Sequence, residues 1–307
     1  MTASRRSVLA CLMALAACTT VPPPARPSVS PNASSPARSP NPAPGFAAAR
    51  VAETVRILAA NGPRVATSPS FVRAATFVED ALREHGYRVR RQVFHVPGGV
   101  TNRVAVPEGD SFNVIAEPAD FDSAKPHVVI GAHLDTVPQA PGAVDNAAGI
   151  GIMLELARLA ASDETPLPVV FVAFGAEESR VPGGGLRGSR EYVAALRGAE
   201  RSAVGYMVAI DRIGTGSRVP VCVSRSSARP TARRLLRAAQ RAGVPAHECT
   251  NGSSDHAPFS AAGIPAVRIG PDTYAEYHTA RDVPAIFVPA QAGRAGALLW
   301  EALRSGV

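Results

Sequence analysis

Apolar positions recur along the chain with two different periods, and each period predicts a different kind of element. A recurrence every three or four residues predicts a helix, whereas a short apolar run between turn-forming residues predicts a buried strand. The helices predicted in this way are 48–61, 70–85, 145–161, 189–196, 231–242 and 288–303. The predicted strands are 87–96, 100–106, 112–116, 127–132, 169–175, 206–210, 219–224 and 266–269.

The order of these elements predicts the fold class. From residue 127 onward strands alternate with helices, which favours a mostly parallel sheet covered on both faces. We therefore expect an α/β fold of three layers, with a mostly parallel mixed central sheet flanked by helices. The first two strands, 87–96 and 100–106, flank a Pro-Gly-Gly turn and are expected to pair with each other. Ligands of such folds lie beyond the carboxyl ends of the strands.

The first 45 residues differ in composition from the rest and predict export. Residues 1–18 combine a basic head, a short apolar run and small residues before Cys18, an arrangement similar to a bacterial lipoprotein signal peptide. The apolar run is shorter than the ~20 residues that a membrane-spanning helix needs. Residues 19–45 are rich in Pro, Ser and Ala, which predicts a disordered tether. The folded domain is then expected over 46–307.

This arrangement predicts a protein of the bacterial cell envelope. A lipid on Cys18 would anchor it to a membrane, at the outer membrane or the periplasmic face. An ordinary secretory signal that is cut elsewhere is the alternative. Arg5 and Arg6 also resemble a twin-arginine export signal, so the choice between that route and the general secretory route stays open.

The net charge is positive, but its distribution does not indicate nucleic-acid binding. The formal charge is +7 and the sequence pI about 9.8. Lys125 is the single lysine, and the arginines are scattered instead of forming one basic run. No nucleic-acid-binding motif accompanies them. We therefore expect a solvated basic surface and no nucleic-acid partner.

Cys222 and Cys249 are the two cysteines of the predicted domain, 27 positions apart. An exported domain can bridge such a pair. The separation is about one strand–helix–strand step, so neighbouring strands could carry the two residues. A disulfide and two buried free thiols are both compatible with this spacing.

Carboxylate and imidazole side chains follow the predicted strands at the points where the strands end. They are His133, Asp145 at the start of the next helix, the adjacent pair Glu177 and Glu178, Asp211, and His278 in the loop after the last strand. Each has an ordinary structural explanation when taken alone, such as a helix N-cap for Asp145. Because the ends of parallel strands meet at one edge of a sheet, the six groups together predict a functional site.

Two histidines and three carboxylates can hold two divalent ions about 3.5–4 Å apart through a bridging carboxylate. Imidazole combined with carboxylate oxygens suits zinc, so we expect two Zn ions as cofactors. Water between the ions becomes hydroxide near neutral pH, and one unbound carboxylate is needed to handle its proton. Adjacent residues of an extended chain point in opposite directions, so Glu178 is expected to face the metal and Glu177 the water. Asp135 is expected to orient His133 through the second ring nitrogen.

Seven segments resemble, in order, the bacterial zinc aminopeptidases, a co-catalytic dizinc exopeptidase family that also contains glutamate carboxypeptidase and glutaminyl cyclase. They are GAHLD, VDNAAGIGIMLELARL, VVFVAFGAEE, GSREYV, MVAIDRIG, SSDHAPFSAAGIPAV and YHTARD. The resemblance covers residue 48 to the C-terminus. It implies a phosphorylase/hydrolase-like zinc exopeptidase fold, peptide substrates, and hydrolysis of their N-terminal residues by a metal-bridged hydroxide.

The resemblance also implies which residues bind the metal ions. Asp145 would bridge the two zinc ions. His133 and Asp211 would complete one half of the centre. Glu178 and His278 would complete the other half.

Further residues receive supporting roles from the same resemblance. Glu177 would act as the general base and later donate its proton to the leaving amine. Asp135 would support a metal ligand. Asp255 and His256 would support the site or contact the substrate, although His256 could equally be a locally packed histidine at a helix start.

Two departures from the family bear on the substrate. Arg212 stands where the family more often has an apolar residue; it could clamp a substrate carboxylate or turn away into a surface ion pair. The glycine-rich stretch 179–187 is longer than in the family and is expected beside the substrate pocket.

An aminopeptidase is therefore the expected function. A carboxypeptidase or dipeptidase of the same fold and a non-catalytic envelope binding lipoprotein are the alternatives. Glutaminyl cyclisation is disfavoured because that branch typically holds one zinc and lacks the GAHLD histidine.

Overall fold

The computed structural model describes residues 45–101, 103–178 and 185–306. The α-helices of these residues are α1 (Ala48–Ala60), α2 (Pro69–Glu84), α3 (Ala148–Ser162), α4 (Arg187–Ala195), α5 (Gly198–Ala203), α6 (Arg229–Arg241), α7 (His256–Ala261) and α8 (Pro289–Arg304). The strands are β1 (Arg88–Val96), β2 (Gly99–Thr101), β3 (Val104–Val106), β4 (Gly109–Glu117), β5 (His127–His133), β6 (Val169–Phe174), β7 (Val204–Ile210), β8 (Val219–Val223), β9 (Ala246–Thr250) and β10 (Ala266–Ile269). The predicted signal, including Cys18, and the predicted tether up to residue 44 lie outside the described residues, as does 179–184 of the glycine-rich stretch.

Eight strands form the central sheet, in the order β1-β4-β6-β5-β7-β10-β8-β9. The middle four, β6, β5, β7 and β10, run parallel to one another. Antiparallel pairs join β1 to β4, β4 to β6, and β10 to β8. The predicted α/β class with a mostly parallel mixed sheet and flanking helices is therefore confirmed. Three short elements that apolar periodicity did not predict, α5, β9 and α7, complete the fold.

The predicted pairing of the first two strands is wrong. β1 pairs along its whole length with β4, from Arg88 opposite Glu117 to Val96 opposite Gly109. The predicted strand 100–106 instead folds back on itself at Arg103, which has φ of 66°, and contributes to the small β2–β3 hairpin. The long β1–β4 ladder satisfies more backbone groups than a ladder with so short a hairpin strand could.

The core is formed where α3 packs onto the fully buried strands β5 and β6. Two glycines near the start of α3 permit a close approach. A Cβ at Gly149 would lie 2.6 Å from the carbonyl oxygen of Ile210, and one at Gly151 would lie 3.0 Å from Val51. This contact brings the start of α3 against the carboxyl end of β7. Within the described residues, no helix combines the length and the apolarity needed to cross a bilayer.

β8 and β9 lie side by side in parallel, with Cys222 opposite Cys249. The two cysteines are joined in a disulfide. β9 is the outer strand of the sheet at this side, so the bond ties an edge strand to its neighbour.

Candidate metal centre

The predicted site residues converge at the carboxyl ends of the parallel strands, around a cavity of about 400 Å³. His133 is the last residue of β5, and Asp211 follows β7 directly. Glu177 and Glu178 come shortly after β6, where the backbone turns at Ala176 with φ of 55°. The strand thus ends earlier than predicted, at Phe174, and a turn instead of an extended segment presents the two glutamates.

Asp145 lies between two imidazole rings. Its Oδ1 is 3.0 Å from Nε2 of His133, and its Oδ2 is 3.4 Å from Nε2 of His278. Asp145 sits in a π-helical turn, Ala143–Ala147, and has non-helical φ and ψ angles, so the helix starts after it and not at it as predicted. The carboxylate is therefore free to present one oxygen to each histidine.

The geometry around His133 requires a cation. Its Nδ1 lies 3.0 Å from the carbonyl oxygen of Asp135, which can only accept, so Nδ1 carries a hydrogen. In a neutral ring Nε2 then has a lone pair, and this lone pair faces oxygens of Asp145 at 3.0 Å and Asp211 at 3.3 Å. Lone pairs that face one another in a buried site need a proton or a metal ion between them.

The second half of the centre has the same character. Nε2 of His278 lies 2.7 Å from Oε1 of Glu178, in addition to its contact with Asp145. Potential ligand atoms of His133, Asp145 and Glu178 lie within 4.8 Å of one another, and so do those of His133, Glu177 and Asp211. Nitrogen and carboxylate oxygen donors at this spacing fit zinc.

The protonation behaviour of the two histidines also fits a cation site. Burial lowers the pKa of His133, but the charges of Glu177, Asp145 and Asp211 outweigh this effect and raise it well above its usual value. Burial likewise opposes protonation of His278, yet its hydrogen bonds to Asp145 and Glu178 raise its pKa to about 9. Both rings thus lie where the surrounding carboxylates stabilise positive charge, as they would stabilise a bound metal ion.

The two adjacent glutamates have raised pKa values. Burial raises the pKa of Glu178 to about 7, with a further contribution from the charge of Asp145. Burial, together with the charges of Glu178 and Asp255, raises the pKa of Glu177 well above its usual range. Glu177 is partly exposed whereas Glu178 is buried. A carboxyl group that has a raised pKa and still meets the solvent is suited to proton transfer.

Asp135 differs from its predicted arrangement. Its backbone carbonyl, not its carboxylate, accepts the hydrogen bond from His133. The carboxylate instead accepts hydrogen bonds from the backbone N–H groups of Glu177 at 3.0 Å and Glu178 at 3.1 Å. Because both oxygens are engaged there, Asp135 connects the end of β5 to the turn after β6 and fixes two site residues at once.

Asp255 and His256 lie at the start of α7 and are both buried. Burial raises the pKa of Asp255 to about 7, and nearby His133 opposes this shift. His256 donates through Nε2 to the carbonyl oxygen of Asn251 at 2.8 Å, and burial lowers its pKa to about 4. His256 is therefore a neutral, locally bonded histidine, while Asp255 lies within electrostatic reach of the centre.

Arg212 is buried and not in a surface ion pair, so that expectation is wrong. Its NH2 lies 3.2 Å from Oδ2 of Asp211, and its NH1 donates to the carbonyl oxygen of Asp272 at 2.8 Å. Its guanidinium also lies 5.0 Å from the centre of the Tyr277 ring, which stacks on His278 at 3.8 Å. The buried carboxylate of Asp211 provides the counter-charge that keeps the arginine inside.

Three further residues shape the centre and were not singled out by sequence reasoning. Asp282 accepts hydrogen bonds from the N–H groups of Val144 and Asp145. Arg268 is fully buried with Nε 3.1 Å from Oδ2 of Asp211. Arg64, also buried, donates to four backbone carbonyls, including those of Pro141 and Gly142 ahead of Asp145. A charged residue within an apolar stretch, such as Arg268 in AVRIG, is the sequence feature that could have pointed to these buried partners.

Comparison with known proteins supports one family. The sequence profile of peptidase family M28 matches residues 113–303. Aminopeptidase YwaD of Bacillus subtilis is 38% identical over 144 residues, which are 45% of this chain and 30% of that protein. The probable lipoprotein aminopeptidase LpqL of Mycobacterium tuberculosis is 45% identical over 85 residues, 27% of this chain and 16% of that protein. Leupeptin-inactivating enzyme 1 of Streptomyces exfoliatus is 30% identical over 226 residues, 71% of this chain and 47% of that protein. The chain therefore spans less than half the length of these relatives.

Solved structures show the same fold. The crystal structure of BSAP, a zinc aminopeptidase from Bacillus subtilis, aligns with a TM-score of 0.74 at 21% identity, covering 85% of this chain and 96% of that one. A glutaminyl cyclase from Porphyromonas gingivalis aligns with a TM-score of 0.72 at 21% identity, covering 85% and 99%. At this level of identity the likeness establishes the architecture and leaves the activity to be argued from the site.

Proposed function

This chain belongs to peptidase family M28, as its motifs predicted, and on that premise we propose that it is a zinc-dependent aminopeptidase. One observation carries the proposal. The two oxygens of Asp145 lie against Nε2 of His133 and Nε2 of His278, at 3.0 and 3.4 Å. A buried carboxylate between two imidazoles is the arrangement that a pair of bridged metal ions requires.

We assign two zinc ions to the centre. His133, Asp145 and Asp211 would hold one ion. Asp145, Glu178 and His278 would hold the other. When bound, the ions would polarise the scissile carbonyl and activate a water molecule for attack on it. The lone pair of His133 Nε2, fixed by the Nδ1 hydrogen bond, supports its assignment as a ligand.

We assign the general base to Glu177. Both glutamates line the cavity, but Glu178 is buried and paired with His278, whereas Glu177 is partly exposed and is the one placed to meet a water molecule. Its raised pKa suits a group that takes a proton from water and later returns it to the leaving amine. The hydrogen bond from its backbone N–H to Asp135 fixes the position of the residue.

The contacts of Arg212 favour an aminopeptidase over a carboxypeptidase or dipeptidase. A carboxylate clamp needs guanidinium N–H groups that are free to bind the substrate. Here NH1 donates to Asp272 and NH2 contacts Asp211 and the carbonyl of Ser253, so of its three nitrogens only Nε lacks a partner among the described residues, and a bidentate clamp needs two. The carboxylates of Glu177 and Asp211 in the cavity suit the charged amine of a peptide N-terminus.

A panel of peptides in two forms tests this function. Each peptide is supplied with a free amine and with an acetylated N-terminus, and the released amino acid is identified. An aminopeptidase releases the first residue from the free amines alone, loses this activity with a chelator and regains it with zinc. Release of the last residue from the acetylated set would assign a carboxypeptidase instead. No cleavage and no bound zinc would favour the non-catalytic binding lipoprotein.

We further propose that the domain, residues 46–307, is tethered to the cell envelope by a lipid on Cys18. The signal-like residues 1–18 and the similarity to a probable lipoprotein aminopeptidase support this location. Metabolic labelling with a radioactive fatty acid tests it. The wild-type chain should take up label and sediment with membranes, and Cys18→Ala should do neither. Unlabelled wild-type protein in the soluble fraction would indicate an ordinary secretory signal.

A further inference from the structure

Asp211 has two cations on the same carboxylate oxygen. Its Oδ2 lies 3.2 Å from NH2 of Arg212 and 3.1 Å from Nε of Arg268. Its other oxygen, Oδ1, lies 3.3 Å from Nε2 of His133. The carboxylate is thereby divided, with one oxygen towards the two arginines and one towards the proposed metal ion.

The two arginines are held by different atoms, although both contact Asp272. Arg268 comes from β10, is fully buried, and pairs with Asp272 while donating to the carbonyl of Pro271. Arg212 follows Asp211 directly, has φ of 58°, and donates to the carbonyls of Asp272 and Ser253. Because Arg268 is buried and also donates to Pro271, we expect it to stay against Asp211 when Arg212 is replaced.

The other half of the centre has no equivalent of these cations in the described part of the chain, which excludes 179–184. Among the residues that the structure describes, Glu178 pairs with His278 at 2.7 Å and with no arginine or lysine. The carboxylate of Asp211 thus lies beside two arginines, whereas that of Glu178 lies beside a histidine. A cation next to a ligand oxygen competes with a metal ion for its negative charge, and the cation also repels the metal ion through space.

Resting on the proposed zinc centre, we propose that Arg212 and Arg268 are positioning residues that restrict Asp211 to one ligand oxygen and lower the zinc affinity of its half of the centre. The Asp145–Glu178–His278 half then retains its ion more strongly. The Asp211 half then binds its zinc ion only at a higher free zinc concentration than the other half. The two arginines thereby set the zinc concentration at which both ions are bound.

Zinc titration of the full-length chain, stripped of metal and in competition with a chromophoric chelator, tests the proposal. The wild type should bind two ions with unequal affinities, and Asp211→Asn should lose the weaker step. Arg212→Met removes the charge but keeps the aliphatic packing, and should strengthen the weaker step on the order of ten-fold. Arg212→Lys is the matched control that keeps the charge and should bind like the wild type. Circular dichroism and thermal unfolding verify that each variant is folded.

Whether zinc affinity rises or falls in Arg212→Met distinguishes the proposal from a purely structural role of Arg212. If Arg212→Met weakens the step or leaves it unchanged, the proposal is overturned, because the arginine then acts by orientation alone or not at all. Loss of the tighter step in Asp211→Asn would also overturn it. A wild-type chain that binds no zinc would remove the proposed function itself, which distinguishes that failure from failure of the present inference.

Discussion

The carboxylate of Asp282 accepts a hydrogen bond at 3.2 Å from the backbone N–H of Asp145, 137 positions earlier in the chain. It also accepts one from Val144 at 2.8 Å and one from the hydroxyl of Tyr274 at 2.7 Å. Asp282 is fully buried, so these contacts are not shared with water. The backbone that carries the proposed bridging ligand is therefore held by a residue from the last loop of the domain.

We expect Asp282→Asn to weaken zinc binding by about 10- to 100-fold, because the amide group cannot accept from both N–H groups and Asp145 loses its fixed position. The measurement is zinc affinity by chelator competition. Tyr274→Phe is the matched control: it removes one neutral donor and leaves the backbone contacts, so it should cost about 1 kcal/mol of stability and little affinity. Equal effects of the two substitutions would contradict this assignment.

Glu177→Gln should retain zinc but lower kcat by about 10²- to 10⁴-fold, because the amide cannot take a proton from water. The experiment pairs steady-state kinetics on a cleaved peptide with metal analysis of the same sample. Glu164→Gln, a change at an exposed position, serves as the control and should leave both quantities unchanged. Activity of Glu177→Gln close to that of the wild type would exclude Glu177 as the base.

Asp135→Asn should lower both zinc affinity and kcat, because one of the N–H groups of Glu177 and Glu178 loses its acceptor. We expect activity to fall by about 10- to 100-fold, the range seen when a partner of a metal ligand is removed. The orienting contact to His133 comes from the backbone and should persist. Proton NMR of the His133 ring can follow that contact, and its loss would show that the carboxylate has a larger role than the structure indicates.

Gly270 should tolerate no side chain. A Cβ there would lie 1.7 Å from the carbonyl oxygen of Asp211, and φ is 137°. Gly263, with φ of 83° and nothing within 4 Å of a Cβ, is the control for backbone strain alone. We expect Gly263→Ala to cost about 1 kcal/mol of unfolding free energy. Gly270→Ala should cost roughly 3 kcal/mol and also displace Asp211, with loss of bound zinc. Similar denaturation midpoints for both would refute the steric argument.

Replacing both Cys222 and Cys249 by alanine should lower the free energy of unfolding by about 3.5 kcal/mol, the effect of opening a loop of this length. Urea unfolding monitored by fluorescence measures the change. Wild-type protein in reductant should match the double variant, since both lack the bond between β8 and β9. A double variant as stable as the oxidised wild type would mean that the edge strand is held by its other contacts.

The sequence by itself determined the fold class and the proximity of the proposed ligands. Buried apolar strands alternating with helices permit few architectures, and the ends of parallel strands necessarily meet at one edge. His133 and Asp211 were therefore placed together by local pattern alone. The disulfide was left open, because spacing allows neighbouring strands to carry Cys222 and Cys249 but does not decide their register.

The tertiary structure decided what surrounds the ligands. The partners of Asp145 and Asp211, namely Asp282 and Arg268, come from distant segments, and no periodicity relates them to the residues they contact. The same holds for Arg212, whose sequence position allowed both a substrate clamp and a surface ion pair until packing placed it beside Asp211. A hydrogen bond or an ion pair depends on distances of a few tenths of an ångström, and only the packed fold fixes such distances.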